Sequence, residues 1–409
     1  MTIQLDISCL CSAITETLMA RSPNADGSQN TPSPIPITLC HCSICRQTSG
    51  VLCTSYCPIE APLEKVRTAL LTAYTSSPGT KRYFCRTCGC HIFRRRQKTT
   101  TTADDANTGW EVATGVIANE WSDHAAASDG DNHPVLEYVR HDHVDDTHDG
   151  GLAKWLPTVG GKPMGGYPGA TRPVAVDPEH NVDPSTRTVS AACHCGAVQF
   201  EVRPPDMDPA ASREPHSGFS DLLLPFATTD PAITANPGDV KWWLRPAKDD
   251  HSQTSRWLAG TCACRSCRLA TGFEIQTWAF VPRACIVLQP GGQVLAFGND
   301  NNKGKGNTPP ALAAYQSMPG VERNFCNRCG ATVFWHDIWR PDLIDISVGL
   351  FRPKTDGSTN RGSRIEDLLD WCTTRVSFVE EASRNRHGQT ALRGASLMDS
   401  LEEGMKKSC

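Results

Sequence analysis

Fourteen of the twenty cysteines in this 409-residue chain fall into two sets with the same internal order. The first is Cys9-x-Cys11, Cys40-x-Cys42-x-x-Cys45 and Cys85-x-x-Cys88; the second is Cys193-x-Cys195, Cys262-x-Cys264-x-x-Cys267 and Cys326-x-x-Cys329. Thiolates are soft ligands, and a closely spaced pair supplies two adjacent corners of a zinc tetrahedron. Cys9, Cys11, Cys85 and Cys88 therefore make one complete four-thiolate site, and Cys193, Cys195, Cys326 and Cys329 a second. A closed site has no room for substrate. Its work is structural, tying the start of each half to a distant hairpin, and such a site contributes on the order of 10 kcal/mol of apparent folding free energy in small zinc modules.

The remaining six are candidate catalytic cysteines. Cys40, Cys42 and Cys45 offer three thiolates, and Cys262, Cys264 and Cys267 three more. Three protein ligands leave one tetrahedral corner open, the usual difference between a catalytic and a structural zinc. An open corner takes a substrate thiol as its thiolate, or a water of lowered pKa. The bland alternative is a fourth protein ligand: His41, Cys53 or Cys57 in the first half. Their counterparts in the second half are Ala263, Ile275 and Ala279, none of which ligates zinc, so a shared closed site is not expected. Disulfides are the other alternative; Met1 to Leu10 has no basic-then-apolar signal pattern, and closely spaced cysteines outside the secretory route more often hold metal.

The flanks repeat with the cysteines. Phe84-Cys-x-x-Cys-Gly89 followed by Ile92-Phe93 matches Phe325-Cys-x-x-Cys-Gly330 followed by Val333-Phe334. Arg46 and Arg268 follow the triplets, and Gly50 and Gly272 each stand five residues past the last triplet cysteine. Trp110 to Ile117 aligns with Ile344 to Phe351, and both alternate as half-buried strands do. The spacing predicts a tandem duplication. Arg46 and Arg268 read either as groups that steer an anionic substrate or bond the sulfurs, or as solvated surface arginines.

The gap between the first two motifs is 29 positions in the first half (11 to 40) and 67 in the second (195 to 262). The extra length, Pro204 to Asp250, reads as an irregular surface insertion, and Gly291 to Pro310 as a flexible loop. Short β-type runs dominate; helix is expected only at Arg364 to Trp371 and Leu397 to Lys406. The expected organisation is a first domain over 1–155, a Gly/Pro-rich linker over 156–187, a second domain over 188–380 and a C-terminal tail over 381–409.

Composition excludes other classes. The net charge of -4 gives no global field for nucleic acid or an anionic membrane. No apolar run approaches the roughly 18–20 residues of a membrane helix. A soluble intracellular, cytoplasmic protein is expected. His141 to Asp149 is metal-like in composition but lacks tetrahedral spacing, and reads as an exposed segment with an Asp-Gly turn. Trp242-Trp243 reads as packing, Arg94-Arg95-Arg96 as a solvated strand end, and Cys90, Cys285, Cys372 and Cys409 as buried or incidental thiols.

On these motifs the chain resembles the glutathione-dependent formaldehyde-activating enzyme family, also called the centromere-protein-V/GFA domain, whose order is Cys-x-Cys-Gly, Cys-x-Cys-x-x-Cys, Phe-Cys-x-x-Cys-Gly. The resemblance covers roughly residues 5 to 150 and 189 to 380. Ser12 replaces the first glycine in the first half, and Ala263 replaces the usual triplet histidine in the second. The resemblance implies a mainly β fold of two tandem Mss4-like zinc-binding domains, with up to two zinc ions per domain and four per chain. It also implies carbon–sulfur lyase activity on a thiol adduct of the S-hydroxymethylglutathione type, with a small thiol such as glutathione as partner. A non-catalytic zinc-stabilised scaffold for protein binding is the alternative. Substrate, oligomeric state, protein partners and which half turns over are left open.

Overall fold

A computed structural model describes residues 3–21, 33–61, 68–97, 109–122, 135–166, 187–246, 255–298, 306–352 and 362–408. Cys409, most of the expected linker, the end of the first expected insertion (247–250) and the middle of the second (299–305) lie outside these residues. The chain is mainly β. In the first half the strands are β1 (Ile3–Ser8), β2 (Thr15–Ala20), β3 (Ile35–Cys40), β4 (Thr54–Pro58), β5 (Leu71–Ser77), β6 (Thr80–Cys85), β7 (His91–Arg96), β8 (Gly109–Ala113), β9 (Ile117–Ser122) and β10 (Leu136–Asp142). Helix α1 (Ser43–Ser49) follows β3. Seven strands form one sheet in the order β10-β3-β4-β8-β7-β6-β5, and β2-β1-β9 form another. Alternation explains the strand faces: Ile3, Leu5 and Ile7 of β1 are buried, and so are Ile35, Ile37 and Leu39 of β3.

A short hairpin, β11 (Thr158–Val159) and β12 (Lys162–Pro163), precedes the second half. There the elements are β13 (Val189–Ala192), β14 (Gln199–Val202), α2 (Pro209–Arg213), α3 (Pro231–Thr234), β15 (Leu244–Arg245), β16 (Arg256–Cys262), α4 (Arg265–Thr271), β17 (Gln276–Pro282), β18 (Ile286–Gln289), β19 (Gln293–Val294), β20 (Leu312–Met318), β21 (Val321–Cys326), β22 (Thr332–Asp337), β23 (Leu343–Ser347), β24 (Phe351–Arg352), β25 (Leu369–Trp371) and the helix α5 (Gly388–Lys407). The larger sheet runs β15-β16-β17-β23-β22-β21-β20, with β25 also paired to β16. β10 lies parallel to β3, and β25 parallel to β16. The order of strands around α1 thus recurs around α4.

The halves interlock crosswise. Gly115 N–H donates to Gly272 O (2.9 Å), and Gly349 N–H donates to Gly50 O (3.0 Å). Gly50 (φ 87°) and Gly272 (φ 72°) end α1 and α4 in the left-handed conformation that glycine adopts without steric cost. A Cβ on Gly50 would also stand 2.3 Å from Thr332 O, and one on Gly272 2.4 Å from His91 O. The Phe84 ring packs on Gly330 and the Phe325 ring on Gly89, each within 2.5–2.7 Å of where a Cβ would stand. The Phe-Cys-x-x-Cys-Gly motif is therefore also the seam between halves.

Two expectations fail here. Arg364 to Trp371 is not helical: Arg364 is buried, its guanidinium donating to Asp149 O and Gly151 O (both 2.8 Å), and Leu369 to Trp371 join the sheet as β25. Tertiary pairing overrides local preference there. The region from Pro204 is more than surface: Leu222, Trp242 and Trp243 are buried, and Trp243 Nε1–H donates to Ser212 O (3.0 Å). Leu397 to Lys406 is helical, inside α5, which lies against β9 and β11 of the first half. Its Leu397, Met398, Leu401 and Met405 are buried, and Arg393 pairs with the buried Glu120. Among the described residues no helix is long and apolar enough to cross a membrane.

Candidate metal centres

The structure gathers all fourteen motif cysteines into four clusters: Cys9/Cys11/Cys85/Cys88, Cys193/Cys195/Cys326/Cys329, Cys40/Cys42/Cys45 and Cys262/Cys264/Cys267. Sulfurs in each cluster lie within 4.8 Å of one another. In the four-sulfur clusters, Cys9 and Cys11 Sγ stand 3.5 Å apart, Cys11 and Cys85 3.6 Å, Cys193 and Cys195 3.5 Å, and Cys195 and Cys326 3.6 Å. A disulfide needs about 2.05 Å. A tetrahedron with zinc–sulfur bonds of about 2.3 Å has edges of about 3.8 Å, so these spacings fit a shared metal ion. Turn amides prepare the sulfurs: Ile14 N–H donates to Cys9 Sγ and Val198 N–H to Cys193 Sγ, both at 3.4 Å.

The triplets sit where a strand meets a helix. β3 ends on Cys40 and β16 on Cys262, while Cys42 and Cys264 are the N-caps of α1 and α4. Cys42 Sγ accepts from Cys45 N–H and Cys264 Sγ from Cys267 N–H, both at 3.3 Å. A sulfur in the cap position takes up an orphan helix amide, which favours its thiolate form. In the first triplet Cys40 Sγ lies 3.6 Å from Cys42 Sγ and 3.5 Å from Cys45 Sγ.

No fourth donor joins either triplet among the described residues. His41 is buried and faces away, its Nε2 2.9 Å from His141 Nδ1, and burial depresses its pKa. Cys53 and Cys57 are buried outside the cluster. The segment after β10 holds no metal cluster among the described residues. His141 Nε2–H donates to Leu156 O (2.8 Å), and Asp149 accepts from Gly151 N–H (2.9 Å) in the turn. Cys90, Cys285 and Cys372 are buried singly.

Arg46 and Arg268 are neither steering groups nor surface residues. Both are buried; Arg46 donates to His41 O (3.1 Å) and Asp146 O (2.9 Å), and Arg268 to Gly115 O. The arginines that do reach sulfur are Arg82 and Arg323. Arg82 Nη2 lies 3.2 Å from Cys45 Sγ, its Nη1 2.9 Å from Tyr56 Oη and its Nε 3.1 Å from Ser76 Oγ. Arg323 Nη1 lies 3.5 Å from Cys267 Sγ, which also receives Trp278 Nε1–H at 3.4 Å. Each arginine stands three residues before the first cysteine of a Phe-Cys-x-x-Cys motif, a repeated signal that the spacing of cysteines alone passes over. Arg94 is likewise not a solvated strand end: it is buried, pairs with Glu111 (2.5 Å) and lies over the Tyr56 ring at 4.0 Å.

Charge completes the fit to a divalent ion. Burial opposes the Arg82 charge, yet the Cys45 sulfur holds its pKa above the ordinary arginine value. Contacts from Cys40 and Cys42, with the Arg82 charge adding, hold the Cys45 thiol well below the usual cysteine range. Among the described residues Arg82 forms no ion pair with a carboxylate, so the sulfur cluster is its counter-charge. Three thiolates and one divalent cation carry a net charge of about −1, which one guanidinium balances.

Residues 4–125 match the family model described as glutathione-dependent formaldehyde-activating enzyme. The match does not extend to the second half. No curated protein and no solved structure matches the chain.

Proposed function

We propose that the chain is a zinc-dependent carbon–sulfur lyase that forms or cleaves a thiol–aldehyde adduct of the S-hydroxymethylglutathione type. In this reading the two halves are tandem copies of one domain over 1–155 and 188–380. Cys9, Cys11, Cys85 and Cys88, with Cys193, Cys195, Cys326 and Cys329, hold structural zinc, and the triplets hold zinc with a free fourth position. The observation that carries the reading is three converging sulfurs, one of them bonded to a buried arginine, with no fourth donor among the described residues.

Bound there, zinc supplies Lewis acidity, lowering the pKa of a thiol or water in its fourth position. The chain's own residues prepare that position. Cys42 is held by the α1 amide, Cys45 by Arg82, and Arg82 by Tyr56 and Ser76. This keeps the sulfurs converged before substrate arrives, which is the positioning that catalysis requires. In the direction of synthesis the thiol sulfur forms a bond to the carbonyl carbon, and the thiol proton ends on the carbonyl oxygen. Cleavage reverses both transfers, so no oxidant or reductant is consumed. Glutathione as the thiol is supported by the description of the family that residues 4–125 match.

Elemental analysis with chelator and thiol challenge tests the reading. About four zinc ions per chain, with a thiol-accessible subset, is expected. About two per chain, or four that ignore thiols and resist exchange, would leave a zinc-stapled scaffold.

A further inference from the structure

The two triplets share a backbone plan but differ in access. Cys40 and Cys42 are half-buried, with Cys45 beneath them; Cys262, Cys264 and Cys267 are all buried. The second triplet also has contacts that the first lacks. Asp221, in the region absent from the first half, accepts from Phe378 N–H (2.7 Å) and Ser377 Oγ–H (3.1 Å), and Phe226 stacks edgewise on Phe378. Ser377 in turn bridges to Cys262, and its O accepts from Ala263 N–H (2.9 Å). A matching run lies against the first triplet, where His41 N–H donates to Asp142 O (2.9 Å); the extra length adds the Asp221 contacts that hold the run at the second. Two further donors, Trp278 and Arg323, converge on Cys267.

The walls differ as well. The Cys193–Cys195 loop docks on α1, His194 N–H donating to Gln47 O (3.1 Å). The His194 ring bonds to Tyr74 Oη (Nδ1···O 2.5 Å), and Tyr74 stands opposite Arg82 across the β5–β6 pair. The second half therefore lends the first triplet a polar wall. The position matching His194 in the first half is Leu10, which has no hydrogen-bonding side chain to offer Tyr315, the residue paired with Arg323 as Tyr74 is with Arg82.

We infer that the triplets have divided labour: Cys40, Cys42 and Cys45 form the one thiol-accepting site, walled by His194 and Tyr74, while Cys262, Cys264 and Cys267 form a sealed metal-holding core. This rests on the lyase reading and adds which half serves it. One feature already visible in the motifs agrees with it: Ala263 stands in the second triplet where the first has His41.

The test is glutathione binding to the zinc-loaded full chain by calorimetry, with Cys42→Ser beside the natural sequence. One equivalent per chain, lost in Cys42→Ser, is the expected result. Two equivalents, or one that survives Cys42→Ser, overturns the division of labour and leaves the lyase reading standing; no binding at all removes both. Peptide-mapped alkylation of the natural zinc-loaded chain needs no variant to fold. Cys40 and Cys42 should label at least about tenfold faster than Cys262, Cys264 and Cys267, and glutathione should slow only the former. Equal labelling, or protection at the second triplet, contradicts the inference.

Discussion

A guanidinium laid on a cysteine sulfur governs how much negative charge that sulfur keeps. Arg82 does this for Cys45 and Arg323 for Cys267, each from a strand that ends in a four-sulfur site. Groups behind a metal ligand typically change affinity by about 10–100-fold when removed. Arg82→Gln should weaken zinc at the first triplet by about that factor, read by competition with a chromogenic chelator. The four-sulfur sites should keep their zinc. Unchanged affinity would mean the contact is packing alone. The grouping of the cysteines was legible from spacing, because the two sets repeat the same intervals. The arginines were harder: Arg46 and Arg268 adjoin the triplets in sequence, yet α1 and α4 turn their side chains toward backbone carbonyls. Arg82 and Arg323 come from strands remote in sequence, and only the sheet brings them to the sulfurs.

At the scale of elements, each triplet depends on a strand, a cap and a helix of seven residues ended by a left-handed glycine. Gly50→Ala or Gly272→Ala forces a Cβ into a positive-φ position and against a carbonyl of the other half. Strain of this kind costs about 1–3 kcal/mol per residue before the clash is counted. Urea titration of each variant should show at least that loss, and an unchanged midpoint would refute the proposed role of the cap. Cys85→Ser or Cys326→Ser should go further and unfold its half, whereas Cys42→Ser should leave the fold largely intact. Circular dichroism of the purified variants separates the two behaviours; equal destabilisation by all three would make every site structural. Strand positions were legible where apolar residues alternate, as in β1 and β3. The stretch Arg364 to Trp371 was not, because its helical pattern yields to a buried arginine and to pairing with β16.

Across the whole molecule, the halves exchange support through paired seams and through α5. The Tyr74 side chain meets the second four-sulfur loop at His194, and Phe84 and Phe325 each fill space beside the other half's glycine. Helix α5 closes the assembly: Arg393 pairs with Glu120, and Arg386 bridges Glu274 (2.9 Å) and Ile117 O (3.1 Å). Removing one partner of a buried ion pair leaves the other uncompensated, at about 3–5 kcal/mol. Arg393→Met should destabilise the chain by that order in urea and make the α5 segment the first site cut by protease. Stability equal to the natural chain would show that α5 is dispensable. No spacing in the sequence announces these contacts, since they join residues up to 273 positions apart. The cysteine repeat shows that two similar halves exist; how they clasp is decided by side chains outside it.

The proposed chemistry takes place at the first triplet. Exchange of formaldehyde between water and glutathione, followed by magnetisation-transfer NMR, measures it directly on the zinc-loaded full chain. Acceleration above the spontaneous rate, abolished by Cys42→Ser while the fold persists, is the predicted result. An exchange rate equal to that of buffer, at full zinc occupancy, would contradict it.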